Sequence, residues 1–126
     1  MFYTNKLTNF TLTLTLSPSC HIMLVKLQLK AISLPKMDFT GKSDPYFKIF
    51  CGNKKEKLLY RSETIKKCLN PIWELAIFEL PKSYTIGEKL LVKLYDHDDF
   101  GKDDYIGEQW ISLPIRKSVY RKMFHP

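Results

Sequence analysis

The sequence predicts an all-β fold, an antiparallel eight-stranded β-sandwich. Apolar and polar residues alternate through most of the chain of 126 residues, as they do in strands with one buried face. Glycine, proline, asparagine and aspartate separate these segments at regular intervals, and no segment shows the helical period. Many short strands at regular spacing are typical of two antiparallel sheets that pack face to face.

The first five predicted strands lie between residues 10 and 80. They cover residues 10–16, 22–31, 46–51, 58–65 and 73–80. In the second strand, four apolar residues are expected to face the core, in alternation with lysine and glutamine. These inward residues are Val25, Leu27, Leu29 and Ala31. Pro35 ends the second strand, Gly52 marks the hairpin between the third and fourth, and Pro71 lies in the turn before the fifth.

The last three predicted strands follow a longer loop over residues 81–88. They cover residues 90–95, 105–113 and 118–124. The chain is interpreted as a single domain over residues 1–126, because its length suits one core and not two. The core is expected over about residues 22–113, with residues 1–21 as a first strand or N-terminal extension and residues 114–126 as a last strand and tail.

Charge is unevenly distributed along the chain. Lysine and arginine number 20 against 13 aspartates and glutamates, so the net charge is +7. A basic balance favours anionic partners such as lipid headgroups, nucleic acid or acidic protein. Much of the acidic charge nevertheless falls in two loops, at Asp38, Asp44, Asp96, Asp98, Asp99, Asp103 and Asp104. Two acidic loops in a basic protein indicate that a cation binds between them.

The cysteines bear on the cellular compartment. Cys20, Cys51 and Cys68 are an odd number and lack the spacing of metal ligands. This usage predicts reduced thiols and a cytoplasmic protein. A signal peptide over residues 1–20 is the alternative, since a moderately apolar stretch there ends in small residues. The threonines that alternate with its leucines argue against that alternative.

Five aspartates are predicted to form a metal site. They lie on the loops after the second and sixth strands, at Asp38, Asp44, Asp96, Asp98 and Asp104. Side chains two residues apart at a strand end point the same way, so Asp96 and Asp98 are expected to face one ion. Calcium takes about six to eight oxygen ligands, mostly from carboxylates and carbonyls. With the backbone carbonyls of Met37, His97 and Lys102, the set is predicted to bind two calcium ions.

The number and spacing of these aspartates disfavour turn formation, an EF-hand and a magnesium site. Aspartate is a common turn residue, and a single pair would be assigned to turns. Five aspartates on two distant loops favour a metal site. An EF-hand is excluded, because a twelve-residue loop starting at Asp96 would place Gly107 where glutamate is required. Magnesium is disfavoured, because it is usually held by one or two carboxylates and keeps several waters.

Two phenylalanines and a basic segment point to an anionic surface. Phe39 and Phe100 are expected at the loop tips, where they either insert into lipid or fold back onto the sandwich. Six basic residues on or near the third and fourth strands are candidates for binding anionic lipid: Lys54, Lys55, Lys57, Arg61, Lys66 and Lys67. The alternative is a solvated edge that discourages strand pairing. Nucleic acid is not expected, because only Tyr60 is interleaved with these cations.

Several motifs together resemble the C2 domain, a calcium- and phospholipid-binding β-sandwich. They are Leu34-Pro35, Ser43-Asp44-Pro45-Tyr46, Leu69-Asn70-Pro71-Ile72-Trp73, Tyr95-Asp96-His97-Asp98 and Asp104-Tyr105-Ile106-Gly107-Glu108. The resemblance covers about residues 22–113 and implies a C2-type Greek key. It also implies that the five aspartates are the ligands, whereas Gly101 stands where some relatives place a serine that helps hold an outer ion.

The resemblance implies a membrane-targeting module that binds anionic phospholipid when calcium is present. We expect phosphatidylserine, and phosphoinositides on the basic face, as its lipids, and a cytoplasmic monomer that becomes peripheral to the membrane. A calcium-independent protein-interaction module is the alternative. An enzyme is not expected, because no general base or substrate pocket accompanies the carboxylates. The stretch Tyr60-Arg61-Ser62-Glu63-Thr64 also resembles copines, so a fragment of a larger copine-like trafficking or signalling protein stays open.

Overall fold

The computed structural model describes residues 7–17, 22–36, 42–52 and 55–124. These ranges hold seven β-strands and one short helix: β1 (Leu7–Ser17), β2 (Ile22–Ala31), β3 (Pro45–Cys51), β4 (Lys57–Arg61), β5 (Ala76–Glu79), β6 (Lys89–Asp96), β7 (Asp104–Ser112) and α1 (Lys117–Phe124). One sheet has the order β1-β2-β5 and the other the order β4-β3-β6-β7. Every pairing is antiparallel, which confirms the predicted β-sandwich.

The core lies between the two sheets and follows the alternation of the sequence. In β2 the four residues predicted to face inward are at most 1% exposed, and their neighbours along the strand are half-buried. From the other sheet, Phe47 and Ile49 of β3 are completely buried. The Trp73 ring meets Phe47 edge-on, with 5.1 Å between the ring centroids. Both sheets therefore contribute large side chains to one packed layer.

Two predicted strands are shorter in the structure than the sequence suggested. The fourth ends at Arg61, because Ser62 is buried and its hydroxyl accepts a hydrogen bond from the Phe47 backbone N–H at 2.8 Å. The fifth begins at Ala76, because Trp73 turns its side chain into the core and its carbonyl accepts a hydrogen bond from the Gln28 side chain. Single backbone hydrogen bonds continue past these ends, from the Ser62 N–H to the Phe47 carbonyl at 2.9 Å and from the Trp73 N–H to the Leu29 carbonyl at 3.2 Å, but regular strand pairing stops there.

The eighth predicted strand is wrong, because residues 118–124 belong to the helix α1. A long-range contact explains the difference. The Tyr120 hydroxyl donates to the Tyr84 carbonyl at 2.9 Å, and the two rings meet edge-on. Tyr120 is half-buried while Lys117 and Arg121 are exposed, a distribution that suits a helix resting on the sandwich. Tertiary packing has overridden the β propensity of this segment.

The remaining described elements are the helix α1 and the first strand β1. In the described ranges, α1 is short, and none of their helices combines the length and apolar composition of a membrane span. The first predicted strand is confirmed as β1, which pairs with β2 along its length apart from one irregularity between Thr8 and Thr11. The loops that carry the aspartates leave the sandwich from β2, β3, β6 and β7.

Candidate metal centre

Strand register brings three of the aspartates to one edge of the four-stranded sheet. Asp44 immediately precedes β3, and the next residue, Pro45, is paired with Asp96 at the end of β6. Asp96 is in turn paired with Asp104, the first residue of β7. Neighbouring strands are about 4.8 Å apart, so these residues are close neighbours. We call Asp44, Asp96 and Asp104 the carboxylate edge.

Backbone hydrogen bonds fix the carboxylate edge. The Asp44 backbone N–H donates to Asp96 Oδ1 at 2.7 Å, and the His97 N–H donates to the Asp44 carbonyl at 2.9 Å. Asp44 Oδ1 accepts the Lys67 backbone N–H at 2.7 Å. Asp96 is only 5% exposed. A carboxylate this buried destabilises the fold unless hydrogen-bond donors or a cation stabilise its charge. The burial of Asp96 therefore requires such donors or a cation.

The loop between β6 and β7 is held by its own aspartates. Asp98 Oδ1 accepts the Phe100 backbone N–H at 2.9 Å, and the Asp98 N–H donates to Asp103 Oδ1 at 3.0 Å. A β-carbon added at Gly101 would lie 3.2 Å from Asp98 Oδ2. The glycine therefore leaves room beside the Asp98 carboxylate, which any larger residue would crowd.

Asp103 and Asp99 are committed to partners within the protein. The Tyr46 hydroxyl donates to Asp103, and this bond, with the Asp98 N–H, holds the pKa of Asp103 below its ordinary value. His97 Nε2 lies 3.0 Å from Asp99 Oδ1. His97 Nδ1 lies 3.2 Å from Asp103 Oδ1 without the alignment of a hydrogen bond. Asp99 and Asp103 therefore contact His97 and Tyr46, and the role of the His97 carbonyl as a ligand stays a prediction.

The structure describes part of the predicted ligand set. Asp38, Met37, Phe39 and Lys54 lie outside the described residues. Among the residues that are described, no three histidine, cysteine or acidic side chains converge closely enough to hold a metal ion. The carboxylate edge is thus assembled by the register, and the complete five-aspartate set stays a prediction.

Phe100 and the basic residues differ in how they are held. Phe100, at the tip of the β6–β7 loop, is 100% exposed. The described candidates Lys55, Lys57, Lys66 and Lys67 are also exposed. Arg61 is exposed and stacks over the Tyr46 ring, with 4.3 Å from Cζ to the centroid. The large apolar ring at the tip has no such support.

The basic residues do not share one face. Arg61 is paired with Lys48, whose side of the sheet is opposite to the core. Lys57 is paired with Cys51, which faces the core. An irregularity between Ile49 and Phe50 in the β3–β4 ladder separates the two pairs. Such a bulge shifts the side-chain alternation by one residue, so Arg61 and Lys57 lie on opposite faces of the sheet.

Sequence reasoning missed two lysines that do share the outer face with Arg61. Lys48 Nζ lies 5.2 Å from the Tyr95 ring centroid, and Lys93 Nζ lies 5.1 Å from that of Phe50. Lys93 also forms an ion pair with Glu56 at 3.0 Å. In the sequence, Lys48 and Lys93 alternate with apolar residues of the third and sixth strands. That alternation predicts an outward position for both lysines, although they lie outside the clusters of basic residues.

Comparison with known proteins agrees with this architecture. A family model described as C2 domain matches residues 24–125. Synaptotagmin-A of Diplobatis ommata is 42% identical over 86 residues, which make up 68% of this chain and 20% of that protein. Synaptotagmin-2 of Mus musculus is 41% identical over 88 residues, 69% of this chain and 20% of that protein. A solved structure described as "Structure of a C2 domain" is 26% identical, with a TM-score of 0.61, and the match covers 75% of this chain and 79% of that one.

These comparisons identify the family to which the chain belongs. The chain spans about a fifth of the length of the curated relatives it matches. Those relatives are synaptotagmins, and the narrower expectation of a copine-like protein is not borne out. The family model extends over most of the sequence, from the second strand to the helix. The chain therefore belongs to the C2 domain family.

Proposed function

We propose that this C2 domain binds anionic phospholipid membranes in a calcium-dependent manner. The observation that carries the proposal is the carboxylate edge, which strand register places at the base of the loop that carries the fully exposed Phe100. Clustered carboxylates and an exposed aromatic ring are a poor surface for a soluble protein by themselves. Together they suit a surface that a cation neutralises and that then meets lipid.

The donor set suits a hard cation. All the predicted side-chain ligands are carboxylates, namely Asp38, Asp44, Asp96, Asp98 and Asp104, and the carbonyls of Met37, His97 and Lys102 would add further oxygens. Asp44 and Asp98 each accept a backbone N–H through Oδ1, which orients both carboxylates. We propose that this set holds two calcium ions. Bound calcium supplies positive charge that offsets these acids and accepts phosphate oxygens of the lipid.

The chain's own residues then determine the direction of docking. Without a cation, the carboxylate edge repels anionic headgroups, so the loops stay away from the membrane. Once that charge is offset, Phe100 is positioned to insert, and Phe39 is proposed to do the same from the other loop. Lys66 and Lys67 are exposed beside Asp44 and add attraction to phosphatidylserine. We further propose that the domain acts as a monomer at the cytoplasmic face of a membrane.

The test is co-sedimentation of the chain with phosphatidylserine vesicles, in calcium and in chelator. We expect pelleting in calcium only, and loss of that dependence in the double variant Asp96→Asn/Asp98→Asn. Phe100→Ala should lower vesicle binding by about tenfold while calcium binding is retained, because it removes only the inserting ring.

The matched control is Asp99→Asn, which makes the same chemical change in the same loop. Asp99 contacts His97 rather than the carboxylate edge, so this variant should keep calcium-dependent pelleting. Equal pelleting of the wild-type chain in calcium and chelator would refute the proposal. Titration calorimetry without calcium heat would favour the alternative of a calcium-independent protein-interaction module.

A further inference from the structure

Two exposed isoleucines lie on the three-stranded sheet, where β2 ends and the chain approaches β5. Ile32 is 47% exposed and Ile72 is 67% exposed. Lys30, on the outer side of β2, is bridged to Ile72, and Ile32 follows Lys30 by two residues. The two isoleucines are therefore diagonal neighbours on one face. We call Ile32 and Ile72 the isoleucine flank, an apolar patch that the described part of the chain leaves open to solvent.

Hydrogen bonds between two segments of the chain fix the isoleucine flank. The Ser33 N–H donates to Asn70 Oδ1 at 2.8 Å, and the Ala31 N–H donates to the Pro71 carbonyl at 3.0 Å. Ser33 has a φ of 51°, in the left-handed region that few residues other than glycine adopt. The bond to Asn70 holds this turn directly after Ile32. Both isoleucines are thus presented by backbone that is already in place before anything covers them.

The isoleucine flank lies close to the level of the carboxylate edge. Ser43, the neighbour of Asp44, accepts the Cys68 N–H through its carbonyl at 2.8 Å. The next residue, Leu69, accepts the Leu34 N–H through its carbonyl at 2.9 Å. The two isoleucines lie two and three residues further along these segments, which is at most about 10 Å. The flank is therefore on the other sheet from the carboxylate edge but near the same end of the sandwich.

Charge divides this side of the domain into two parts. The part nearest the loops is basic, with one half-buried lysine beside Ile72 and three exposed lysines, namely Lys30, Lys36, Lys66 and Lys67. On the side of Ile72 away from the loops, the Glu74 N–H donates to Glu63 Oε2 at 2.7 Å, and both residues are exposed. An anionic surface is therefore attracted to the isoleucine flank and repelled just beyond it.

An anionic membrane fits this combination of groups. Its headgroups attract lysines, and its interior takes up aliphatic side chains that would otherwise stay in water. The isoleucine flank is also continuous with the proposed docking loops, since Ile32 directly precedes the β2–β3 segment, and Lys67 bonds to Asp44. A protein partner would have no comparable reason to follow the boundary between the basic and acidic parts.

We propose that the isoleucine flank is a second lipid contact, which tilts the docked domain toward the three-stranded sheet. This inference rests on the proposed function, because the loops must first bring the domain to the membrane. Packed sheets are about 10 Å apart, and Phe100 belongs to a loop of the other sheet. Simultaneous contact by Phe100 and the isoleucine flank therefore requires a tilted domain, whereas an upright domain would touch lipid with its loops alone.

The test measures the calcium-dependent affinity of full-chain variants for phosphatidylserine vesicles. Ile72→Ala should weaken binding by about fivefold, because less apolar surface then leaves water. Ile72→Asp should weaken it by at least tenfold, because an acid then faces anionic headgroups. Calcium affinity, measured by titration calorimetry, should be the same in both variants as in the wild-type chain. Thermal unfolding confirms the fold of each, since a side chain this exposed contributes little to stability.

The matched controls are Ile77→Ala and Ile77→Asp, which make the same changes on the same sheet. Ile77 is 51% exposed, but it is paired with Lys26, four residues further from the loops than Lys30. Both controls should bind vesicles as the wild-type chain does. Unchanged affinity in Ile72→Asp, or equal losses in Ile72→Asp and Ile77→Asp, overturns the tilted contact and leaves the proposed function intact.

Two other outcomes separate the remaining explanations. A wild-type chain that does not pellet with vesicles in calcium overturns both the proposed function and the tilted contact. A wild-type chain that dimerises without lipid in sedimentation velocity, while Ile72→Asp stays monomeric, assigns the isoleucine flank to a second copy of the chain. That result also overturns the lipid contact.

Discussion

The carboxylate edge and the outer face belong to the same four strands, yet they hold charge in opposite ways. At the edge, the acids of Asp44 and Asp96 accept backbone N–H groups that the strand ends supply. On the outer face, the cations of Arg61 and Lys48 rest on tyrosine rings. The edge thus fixes acids by directional bonds, whereas the face fixes bases by stacking.

This difference predicts how each region responds to its surroundings. A buried carboxylate such as Asp96 depends on its donors or on a compensating cation, so we expect the edge to be sensitive to substitution and, under the proposed function, to calcium. Cation–π contacts are weaker and tolerate side-chain movement, so the outer face keeps its shape when the ion is absent. One region is suited to a switch, whereas the other keeps a constant shape.

The largest loss of stability is expected from a substitution in the core that supports both regions. Trp73 is 1% exposed, packs on Phe47, and donates through Nε1 to the Pro45 carbonyl at 3.3 Å. Trp73→Ala should lower the free energy of unfolding by about 3–5 kcal/mol, because it leaves a cavity in the core. Urea unfolding measures this. Trp110→Ala is the matched control, since its ring is half exposed and its loss should cost far less. Similar losses in the two variants would contradict the central place of Trp73 in the core.

A smaller loss of stability is expected from a substitution that changes only the carboxylate edge. Asp96→Ala removes the acceptor of the Asp44 N–H and leaves that donor unpaired, which should cost about 1–3 kcal/mol in urea unfolding. Asp99→Ala, whose carboxylate is exposed, should have little effect on stability. Equal losses in Asp96→Ala and Asp99→Ala would mean that the bond from the Asp44 N–H to Asp96 does not stabilise the edge.

The fold was largely predictable because the burial pattern repeats along each strand. The second strand was predicted over residues 22–31, where β2 lies, since every second residue there is strongly apolar. The helix α1 was not predictable, because it depends on Tyr120 meeting Tyr84, which is 36 residues away. A local pattern records propensity, and it does not record a distant partner.

The candidate site was likewise predictable where it depends on local sequence, and not where it depends on how distant strands pair. Asp44, Asp96 and Asp104 were expected to lie close together from their loops; the register of β3, β6 and β7 places their backbones at neighbouring strand ends, and their joint role as ligands stays a prediction. The division of Arg61 from Lys57 was not predictable, because they are four residues apart on one strand and alternation alone puts them on one face. A bulge in the β3–β4 ladder reverses that expectation, and only the paired strands reveal it.

The smallest expected effect concerns the bond that joins the two regions. Tyr46 belongs to the outer face, where it stacks on Tyr95 with 5.4 Å between the centroids, and its hydroxyl donates to Asp103 in the β6–β7 loop. Burial and this acid raise the pKa of Tyr46, and the same bond lowers the pKa of Asp103. A carboxyl whose folded pKa is lowered stabilises the fold above its unfolded pKa, near 4, and loses that contribution as pH falls through its folded value.

Tyr46→Phe should therefore destabilise the protein at pH 7, by less than about 1 kcal/mol because solvent screens the partly exposed carboxylate. The difference from the wild-type chain should shrink as pH falls below the ordinary aspartate pKa, near 4, and Asp103 becomes protonated in the folded state. Urea unfolding at these pH values measures it. Tyr95→Phe is the control, because it alters the stacked ring that lacks the Asp103 bond. A Tyr46→Phe deficit that persists undiminished in acid would mean that packing, rather than the bond to Asp103, couples the edge to the outer face.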